Sequence, residues 1–244
     1  LAMEPPSSLD GESVRNEKVK IFNCIRPLLE SEIDANAVRG QYGPGTMGGK
    51  RVPGYRQEPD VPADSRTETY AALRLQVENW RWAGVPFYLR SGKRLARRET
   101  EIVIQYRRPP LTLFRQRAAE QVEPNRLVIR VQPDEGIALH VKAKVPGPSI
   151  NLATVRMDFS YKDFGAQPET TGYEQLLYDC MAGDSSLFHR EDMVETAWKI
   201  ATPILDRWDA DRVVDFPNYA SGSWGPEAAD RLIGGDGRKW SHHE

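Results

Sequence analysis

Five basic residues crowd into nine positions of the chain, directly after the apolar run Val85-Pro86-Phe87. The five are Arg90, Lys93, Arg94, Arg97 and Arg98, with Tyr88 just before them and Gly92 among them. A cationic turn at the end of a strand can hold a phosphate group or the hydroxyls of a sugar, because lysine is a compact donor and arginine a planar fork of donors. This cluster is the strongest local signal for ligand binding in the sequence.

Two other interpretations fit the same cluster. A solvated, charged hairpin that guards the edge of a sheet needs nothing beyond this spacing, and spacing alone favours it. A nucleic-acid surface would need stacking partners, which Trp80, Trp82, Tyr88 and Tyr106 could supply. The chain has 33 Lys and Arg against 35 Asp and Glu, a formal net charge of -2, so we expect no nucleic-acid partner. Spacing leaves the ligand site and the solvated hairpin both open.

A glycine run at 43–48, Gly-Pro-Gly-Thr-Met-Gly, has the spacing of the dinucleotide fingerprint. That fingerprint must follow a strand and open a helix whose N-terminus holds the pyrophosphate. The residues that follow, Gly-Lys-Arg-Val-Pro-Gly, cannot begin a helix. The phosphate-loop pattern fails as well, because Pro44 and Arg51 occupy two of its required positions. The run therefore predicts a flexible loop and no cofactor site.

Histidines and cysteines are too sparse to build a catalytic or metal centre. His140 and His189 have no cysteine or histidine at metal-ligand spacing, and the pair His242-His243 is typical of a solvated end. No Ser/His/Asp set can be chosen from so few histidines. Cys24 and Cys180 lie in apolar helical contexts, which predicts two buried free thiols and a reducing compartment. We expect no catalytic residue and no metal site in this chain.

Composition places the chain among globular proteins. Its 244 residues are 39% hydrophobic and 28% charged, which is too apolar for disorder and too polar for a membrane protein. The apolar stretches are far shorter than the ~18 residues of a membrane-spanning helix, and the start lacks the order of a signal peptide. We expect no membrane partner and a cytoplasmic protein.

Alternating apolar and polar residues predict the strands that position the basic cluster. Five segments have this period of two: 70–77, 102–107, 127–132, 137–144 and 155–159. The links between them are polar and contain no evident helix, which is typical of an antiparallel sheet. We expect one face to be covered and the other, with Tyr70, Arg74, Gln76, Arg130, Gln132, Lys142 and Lys144, to be available for subunit pairing.

Helical spacing marks three further segments. Asp10 can cap a helix that ends near Pro27, a second helix covers 173–181, and a third is kinked by Pro203. The third carries an apolar stripe of Val194, Ala197, Trp198, Ala201, Leu205 and Trp208. Residues 37–66 are rich in Gly, Pro and Asp and predict a long loop. The predicted fold class is α+β, a large, mostly antiparallel sheet with helices packed on one face.

Three runs carry a resemblance to a known family. They are Gly54-Tyr55-Arg56-Gln57-Glu58, then Asp64-Ser65-Arg66-Thr67-Glu68-Thr69-Tyr70, and then 79–93, which reads Asn-Trp-Arg-Trp-Ala-Gly-Val-Pro-Phe-Tyr-Leu-Arg-Ser-Gly-Lys. Shorter matches include Ala2-Met3-Glu4-Pro5 near the start and Ala197-Trp198-Lys199-Ile200 near the end. With these motifs the chain closely resembles the glucose-6-phosphate dehydrogenases over nearly its whole length.

The resemblance implies three substrate-binding residues. Lys93 matches the family's sugar-binding lysine, Arg98 a nearby Lys-or-Arg position that also faces the sugar, and Gln132 a further substrate-contacting glutamine. The family's general base is a histidine that would lie just before Leu1, and its NADP-binding Rossmann domain forms the N-terminal half. We expect residues 1–244 to be the C-terminal substrate-binding and dimerisation domain without that half, and to be inactive alone.

The resemblance also implies a reaction and partners. Family members oxidise glucose 6-phosphate at C1 to 6-phosphogluconolactone with NADP, and pair through the sheet as homodimers or dimers of dimers. Members with a second, structural NADP on this domain carry basic or Tyr residues at the positions of Glu99, Ala138 and His140, which argues against that nucleotide here. The alternative function is a non-catalytic sheet module for subunit assembly or regulator binding.

Overall fold

The computed structural model describes residues 1–109, 123–148, 151–165, 172–211 and 215–241. These residues divide between two compact units. The first unit comprises residues 1–96 with 170–242, and the second comprises residues 97–169. In the basic cluster, Arg90, Lys93 and Arg94 belong to the first unit, and Arg97 and Arg98 belong to the second.

The first unit contains all five helices of the described chain and seven of its strands. Its N-terminal part holds α1 (Gly11–Asn23), α2 (Glu30–Asn36), β1 (Ala37–Gly40), β2 (Tyr42–Gly43), β3 (Gly45–Met47), β4 (Lys50–Val52), β5 (Tyr70–Gln76) and β6 (Pro86–Gly92). The second unit holds β7 (Thr100–Gln105), β8 (Arg126–Gln132), β9 (Gly136–Lys144) and β10 (Leu152–Ser160). The first unit then resumes with α3 (Tyr173–Ala182), α4 (Glu191–Ala210), β11 (Tyr219–Ala220) and α5 (Glu227–Gly234).

Helix α1 begins where its cap was predicted. The Asp10 carboxylate accepts hydrogen bonds from the backbone N–H groups of Glu12 and Ser13 at 3.0 and 2.9 Å. These bonds satisfy two of the amides that a helix start leaves without partners, and the cap prediction is confirmed. The helix ends at Asn23, before the predicted end, because the chain then turns and Ile25 forms an antiparallel bridge with Val77.

Antiparallel strands in the order β1-β5-β6 form the sheet of the first unit. On one face, Leu75 packs in a core with Ile33 of α2 and with Ile200, Ile204 and Trp208 of α4. On the other face, Tyr70 and Ala72 pack with Tyr42, Tyr219 and Ala229, the last of these from α5. Helices therefore cover both faces of this sheet. Tyr70, expected on an open face, is only 2% exposed.

The four strands of the second unit form an antiparallel sheet in the order β10-β9-β8-β7. Each was predicted by alternation, and the α+β class with antiparallel sheets is confirmed; the strands are divided between two principal sheets. Register pairs put Val155 opposite Val141 and Met157 opposite Leu139 on one apolar face. Met157 is 53% exposed, whereas Val128 and Ala138 on the opposite face are buried. The apolar face is thus the more open one, whereas the sequence predicted that the polar face would be open.

Two predictions from periodicity were wrong in detail. Helix α4 runs 20 residues through Pro203 and buries Met193, Ile200, Ile204 and Trp208. Of the six residues of the predicted stripe, only Trp208 is buried, and three, Val194, Trp198 and Leu205, are exposed. The helix is apolar over more than one face, so periodicity alone could not choose the face that meets the sheet. Residues 37–66 form four short strands and a 3-10 turn in place of one long loop.

The exposure of the two cysteines and the length of the helices test two predictions made from the sequence. Cys24 is half-buried and Cys180 is exposed, and both are free thiols. The prediction of two buried thiols is therefore wrong. Cys24 lies at the C-terminal cap of α1, a helix without a buried residue, and α3 places only Asp179 in a buried environment. Among the residues that the structure describes, no helix has both the length and the apolar character needed to cross a lipid bilayer.

Candidate functional site

The basic cluster begins near the end of β6, where Gly92 precedes Lys93. Close packing against Tyr70 explains why position 92 is a glycine. A Cβ atom on Gly92 would lie 2.6 Å from Cδ2 of Tyr70, closer than non-bonded carbon atoms approach. Lys93 follows directly, and its backbone N–H donates to the Thr69 carbonyl oxygen at 2.8 Å. The buried Tyr70 ring therefore requires the glycine, and the strand end fixes the backbone of the lysine.

Arg90 is held by the C-terminal segment of the first unit. Its guanidinium carbon lies 5.0 Å from the ring centroid of Trp224 and 4.7 Å from that of Trp240. Its Nη2 donates to the carbonyl oxygen of Ser241 at 3.1 Å. A guanidinium between two indole rings gains cation–π stabilisation and little freedom. Arg90 is thus committed to the fold.

Arg94 is also committed to an intramolecular partner. Its Nη2 lies 2.8 Å from Oε1 of Glu58, and the same oxygen accepts from the Tyr42 hydroxyl at 3.2 Å. The hydrogen bond to Glu58 raises the pKa of the Arg94 side chain above its usual range. Arg94 also has a φ of 53°, a left-handed conformation that non-glycine residues seldom adopt. It is an anchored residue of the turn, in contrast to a freely solvated cation.

The three remaining cations of the cluster are available to a ligand. Lys93, Arg97 and Arg98 are exposed. Within the described ranges, their side chains make no hydrogen bond and no ion pair. The structure therefore separates the cluster into two anchored arginines and three free cations, a division that spacing could not make.

Arg98 and Gln132 lie at the same end of one strand pair in the second unit. Gln132 ends β8 and is paired with Thr100, the first residue of β7, and Arg98 precedes Thr100 by two positions. The Gln132 side chain is exposed and has no hydrogen-bond partner in the described part of the chain. An amide and a guanidinium at one sheet end can donate to the hydroxyls of a sugar. Lys93 belongs to the first unit.

The glycine run does not fit a nucleotide. Strands β3 and β4 pair as a hairpin, and its turn consists of Gly48 and Gly49 with φ values of 55° and 77°. A pyrophosphate site of the Rossmann type needs a helix N-terminus after the glycines, and here a strand follows. The glycine run therefore forms a hairpin turn that does not suit a pyrophosphate.

The positions linked to a second nucleotide carry neither a cation nor a tyrosine. Glu99 is half-buried, Ala138 is 1% exposed on β9, and His140 lies opposite Arg126 and Arg156 on the neighbouring strands. The absence of a bound structural NADP stays a prediction. Among the described residues, no group of three His, Cys, Asp or Glu side chains is placed to hold a metal ion.

Sequence reasoning missed the residues that anchor the turn after β6. Glu58 lies 36 positions before Arg94, and Tyr219 lies 126 positions after Lys93, to whose carbonyl oxygen its hydroxyl donates at 2.8 Å. Local spacing carries no signal for contacts this distant in the chain. The only hint was the tryptophan-rich tail that supplies Trp224 and Trp240.

The sequence of the chain matches a known protein family. The family model for the glucose-6-phosphate dehydrogenase C-terminal domain matches residues 1–241. A glucose-6-phosphate 1-dehydrogenase of Chlamydia pneumoniae is 48% identical over 245 residues, covering 98% of this chain and 47% of the relative. That of Aggregatibacter actinomycetemcomitans is 48% identical over 241 residues, with 98% and 47% covered.

Two solved structures share the fold. The crystal structure of a glucose-6-phosphate 1-dehydrogenase from Mycobacterium avium has a TM-score of 0.79 and 36% identity, covering 100% of this chain and 47% of that one. A glucose-6-phosphate dehydrogenase in complex with its substrate glucose-6-phosphate has a TM-score of 0.83 and 33% identity, with 99% and 48% covered. The chain spans about half the length of these proteins. It belongs to the glucose-6-phosphate dehydrogenase family, as a C-terminal domain.

Proposed function

We propose that this chain is the sugar-binding C-terminal part of a glucose-6-phosphate dehydrogenase. The whole protein would oxidise glucose 6-phosphate at C1 to 6-phosphogluconolactone, with NADP as hydride acceptor. The observation that carries the proposal is the Lys93 side chain, which has no partner among the described residues and follows directly after the close-packed Gly92 at a strand end. A related protein whose fold matches at a TM-score of 0.83 has been solved with glucose-6-phosphate as its substrate.

The reaction divides its tasks between this chain and the rest of the protein. Oxidation at C1 takes a hydride from the carbon and a proton from its hydroxyl group. The family resemblance assigns nucleotide binding and proton removal to the N-terminal half, and the glycine run of this chain, which leads into a strand, does not fit a pyrophosphate cradle. This chain holds the sugar, and precise placement of C1 is itself a large part of such catalysis.

Each proposed contact suits the chemistry of a sugar phosphate. The Lys93 ammonium can donate to a phosphate or sugar oxygen as a compact charge, and Arg98 can donate through two nitrogens at once. The Gln132 amide can donate to one hydroxyl and accept from another. All three side chains are exposed, so binding would not require breaking an existing contact among the residues that the structure describes.

We further propose that the protein is a cytoplasmic homodimer or dimer of dimers that pairs through the four-stranded sheet. Ile137, Val155, Met157 and Phe159 share the apolar face of β9 and β10 and are 36–53% exposed. A half-open apolar sheet face beside an edge strand is a surface that proteins normally cover. The same observation favours the second candidate function, a non-catalytic assembly module, which differs in predicting no sugar binding.

Steady-state kinetics of the full-length protein test the sugar-binding role. We expect Lys93→Ala to raise KM for glucose 6-phosphate roughly 10- to 100-fold, as for loss of a charge-assisted hydrogen bond, with KM for NADP unchanged. Lys50→Ala, at an exposed lysine of β4, is the matched control and should have no effect. Arg94→Ala should have a smaller effect than Lys93→Ala. Equal effects of these two substitutions would support the undifferentiated, solvated charge cluster.

A further inference from the structure

The turn that carries Lys93 is held along one side by the segment around β11. The backbone N–H of Gly222 donates to the Arg94 carbonyl oxygen at 2.8 Å, and the N–H of Ala96 donates to the Ser223 carbonyl oxygen at 2.9 Å. Gly222 has a φ of 87°, and a Cβ there would lie 2.2 Å from the Thr46 carbonyl oxygen. This segment is therefore closely fitted between the turn and the β3–β4 hairpin.

A buried hydroxyl completes the contact at Lys93. The Tyr219 hydroxyl lies 2.8 Å from the Lys93 carbonyl oxygen, 3.2 Å from the Thr69 carbonyl oxygen and 3.0 Å from the Thr69 hydroxyl. Because Tyr219 has one hydroxyl proton, the shortest contact, that to Lys93, is the one it satisfies best. Thr69 Oγ1 accepts from the Tyr42 backbone N–H and can donate its own proton to Tyr219.

This hydroxyl remains a donor at physiological pH. Tyr219 is 6% exposed, and burial raises the pKa of its side chain above the ordinary value of 10.0. Together with the Lys93 N–H, which donates to the Thr69 carbonyl oxygen at 2.8 Å, it fixes both sides of the Lys93 peptide. The backbone of Lys93 is thus bound at its N–H and at its C=O, while its side chain has no partner in the part of the chain that the structure describes.

We propose that Tyr219 is a positioning residue for the substrate: its hydroxyl fixes the backbone of Lys93 so that the ammonium group is presented to the sugar phosphate. The inference rests on the proposed sugar-binding role of Lys93. A side chain with four rotatable bonds places its charge more precisely when its own backbone cannot move, and preorganisation lowers the entropic cost of binding. Arg94, the residue after Lys93, has a left-handed backbone conformation and pairs with Glu58, so the same turn is also anchored there.

The direct test is Tyr219→Phe in the full-length protein. Phenylalanine keeps the ring that packs against Tyr70 and Tyr42 and removes only the hydroxyl. We expect KM for glucose 6-phosphate to rise about three- to tenfold, as for one lost hydrogen bond. We expect kcat and KM for NADP to change by less than about twofold. Tyr55→Phe is the control, because Tyr55 packs on the same core and its hydroxyl has no partner in the described part of the chain.

A double substitution separates positioning from a structural role. If Tyr219 acts through Lys93, adding Tyr219→Phe to Lys93→Ala should raise KM no further, because coupled residues are not additive. A merely structural role would lower the unfolding temperature and leave the KM of the folded enzyme unchanged. Thr69→Val, which removes the hydroxyl that lies 3.0 Å from the Tyr219 hydroxyl, should shift KM in the same direction and serves if Tyr219→Phe does not fold.

The outcomes distinguish this inference from the function on which it rests. If Lys93→Ala leaves KM unchanged, the sugar-binding role of Lys93 is wrong and the inference falls with it. If Lys93→Ala raises KM and neither Tyr219→Phe nor Thr69→Val does, only the positioning role is overturned. The positioning role is likewise overturned if Tyr219→Phe keeps its full effect in the Lys93→Ala background.

Discussion

Residue type alone does not decide which cations of the basic cluster can bind a ligand. Arg90 lies between two indole rings and Arg94 is paired with Glu58, so both charges are already committed. Lys93 carries the same charge on an exposed side chain without a described partner. The difference arises from residues far away in sequence, which explains why the spacing left both a charged hairpin and a ligand site open.

Gly92 gives a sharp test of the packing beside Lys93. Gly92→Ala would place a Cβ 2.6 Å from the Tyr70 ring, and we expect overpacking to lower the free energy of unfolding by roughly 1–3 kcal/mol. Gly234→Ala is the control, because a Cβ there meets no atom within 4 Å and its φ is not positive. Urea denaturation of both variants measures the difference. An unfolding free energy unchanged by Gly92→Ala would show that the ring and the strand end are not in close contact.

Only part of the candidate site could be predicted from the sequence. Lys93, Arg98 and Gln132 came from family motifs, and the unpartnered state of their side chains agrees with that choice without testing it. Tyr219 could not be found, because nothing near position 219 in the sequence indicates a hydrogen bond 126 positions away. Long-range contacts of this kind depend on how the strands are arranged, and local patterns do not encode them.

At the scale of elements, length separates the predicted strands β7 to β10 from the missed strands β1 to β4. Strand β6 has seven residues and was missed as well, because its sequence does not alternate cleanly between apolar and polar residues. Strands β7 to β10 have six to nine residues, enough for several cycles of alternation. Strands β1 to β4 have two to four residues and lie among glycines and prolines, so their pattern is too short to separate from a loop. Tertiary pairing, such as β1 with β5, makes them strands.

The start of α1 makes a prediction that depends on pH. Hydrogen bonds from the Ser13 backbone and side chain are the main cause that lowers the pKa of Asp10 from 3.8 to about 2. A group whose pKa is depressed by folding stabilises the folded state above its unfolded pKa and loses that contribution as pH falls through the folded value. Asp10→Ala should therefore lower the unfolding temperature at neutral pH, and the difference from the parent protein should shrink as pH falls from 3.8 to about 2.

Asp10→Ser provides the matched control for this cap. Serine also accepts from the first-turn amides but does not ionise, so its difference from alanine should stay constant over the same pH range. Thermal unfolding followed by circular dichroism at several pH values measures all three proteins. A parent-to-alanine difference that did not change with pH would mean that the Asp10 charge contributes nothing to the cap.

At the scale of the whole molecule, the open apolar face of the four-stranded sheet predicts self-association. Met157 is 53% exposed on that face, on the edge strand β10, so Met157→Asp should turn a dimer into a monomer by placing a charge in the interface. Met181→Asp is the control, because Met181 is 82% exposed on α3 and should leave the dimer intact. Analytical ultracentrifugation at micromolar concentration distinguishes these results, and a parent protein that stays monomeric as concentration rises would contradict pairing through the sheet.

The central claim is that this chain supplies the sugar-binding part of a dehydrogenase whose catalytic base and nucleotide site lie elsewhere. Its most direct test is NADPH absorbance with glucose 6-phosphate and NADP, measured for residues 1–244 alone and for the full-length protein. Loss of a positioned acid–base group costs roughly 10²–10⁴-fold in rate, and here the nucleotide site would be missing as well. We predict turnover by the full-length protein and none by residues 1–244. Turnover by residues 1–244 alone, or a full-length protein inactive with this substrate, would contradict the claim.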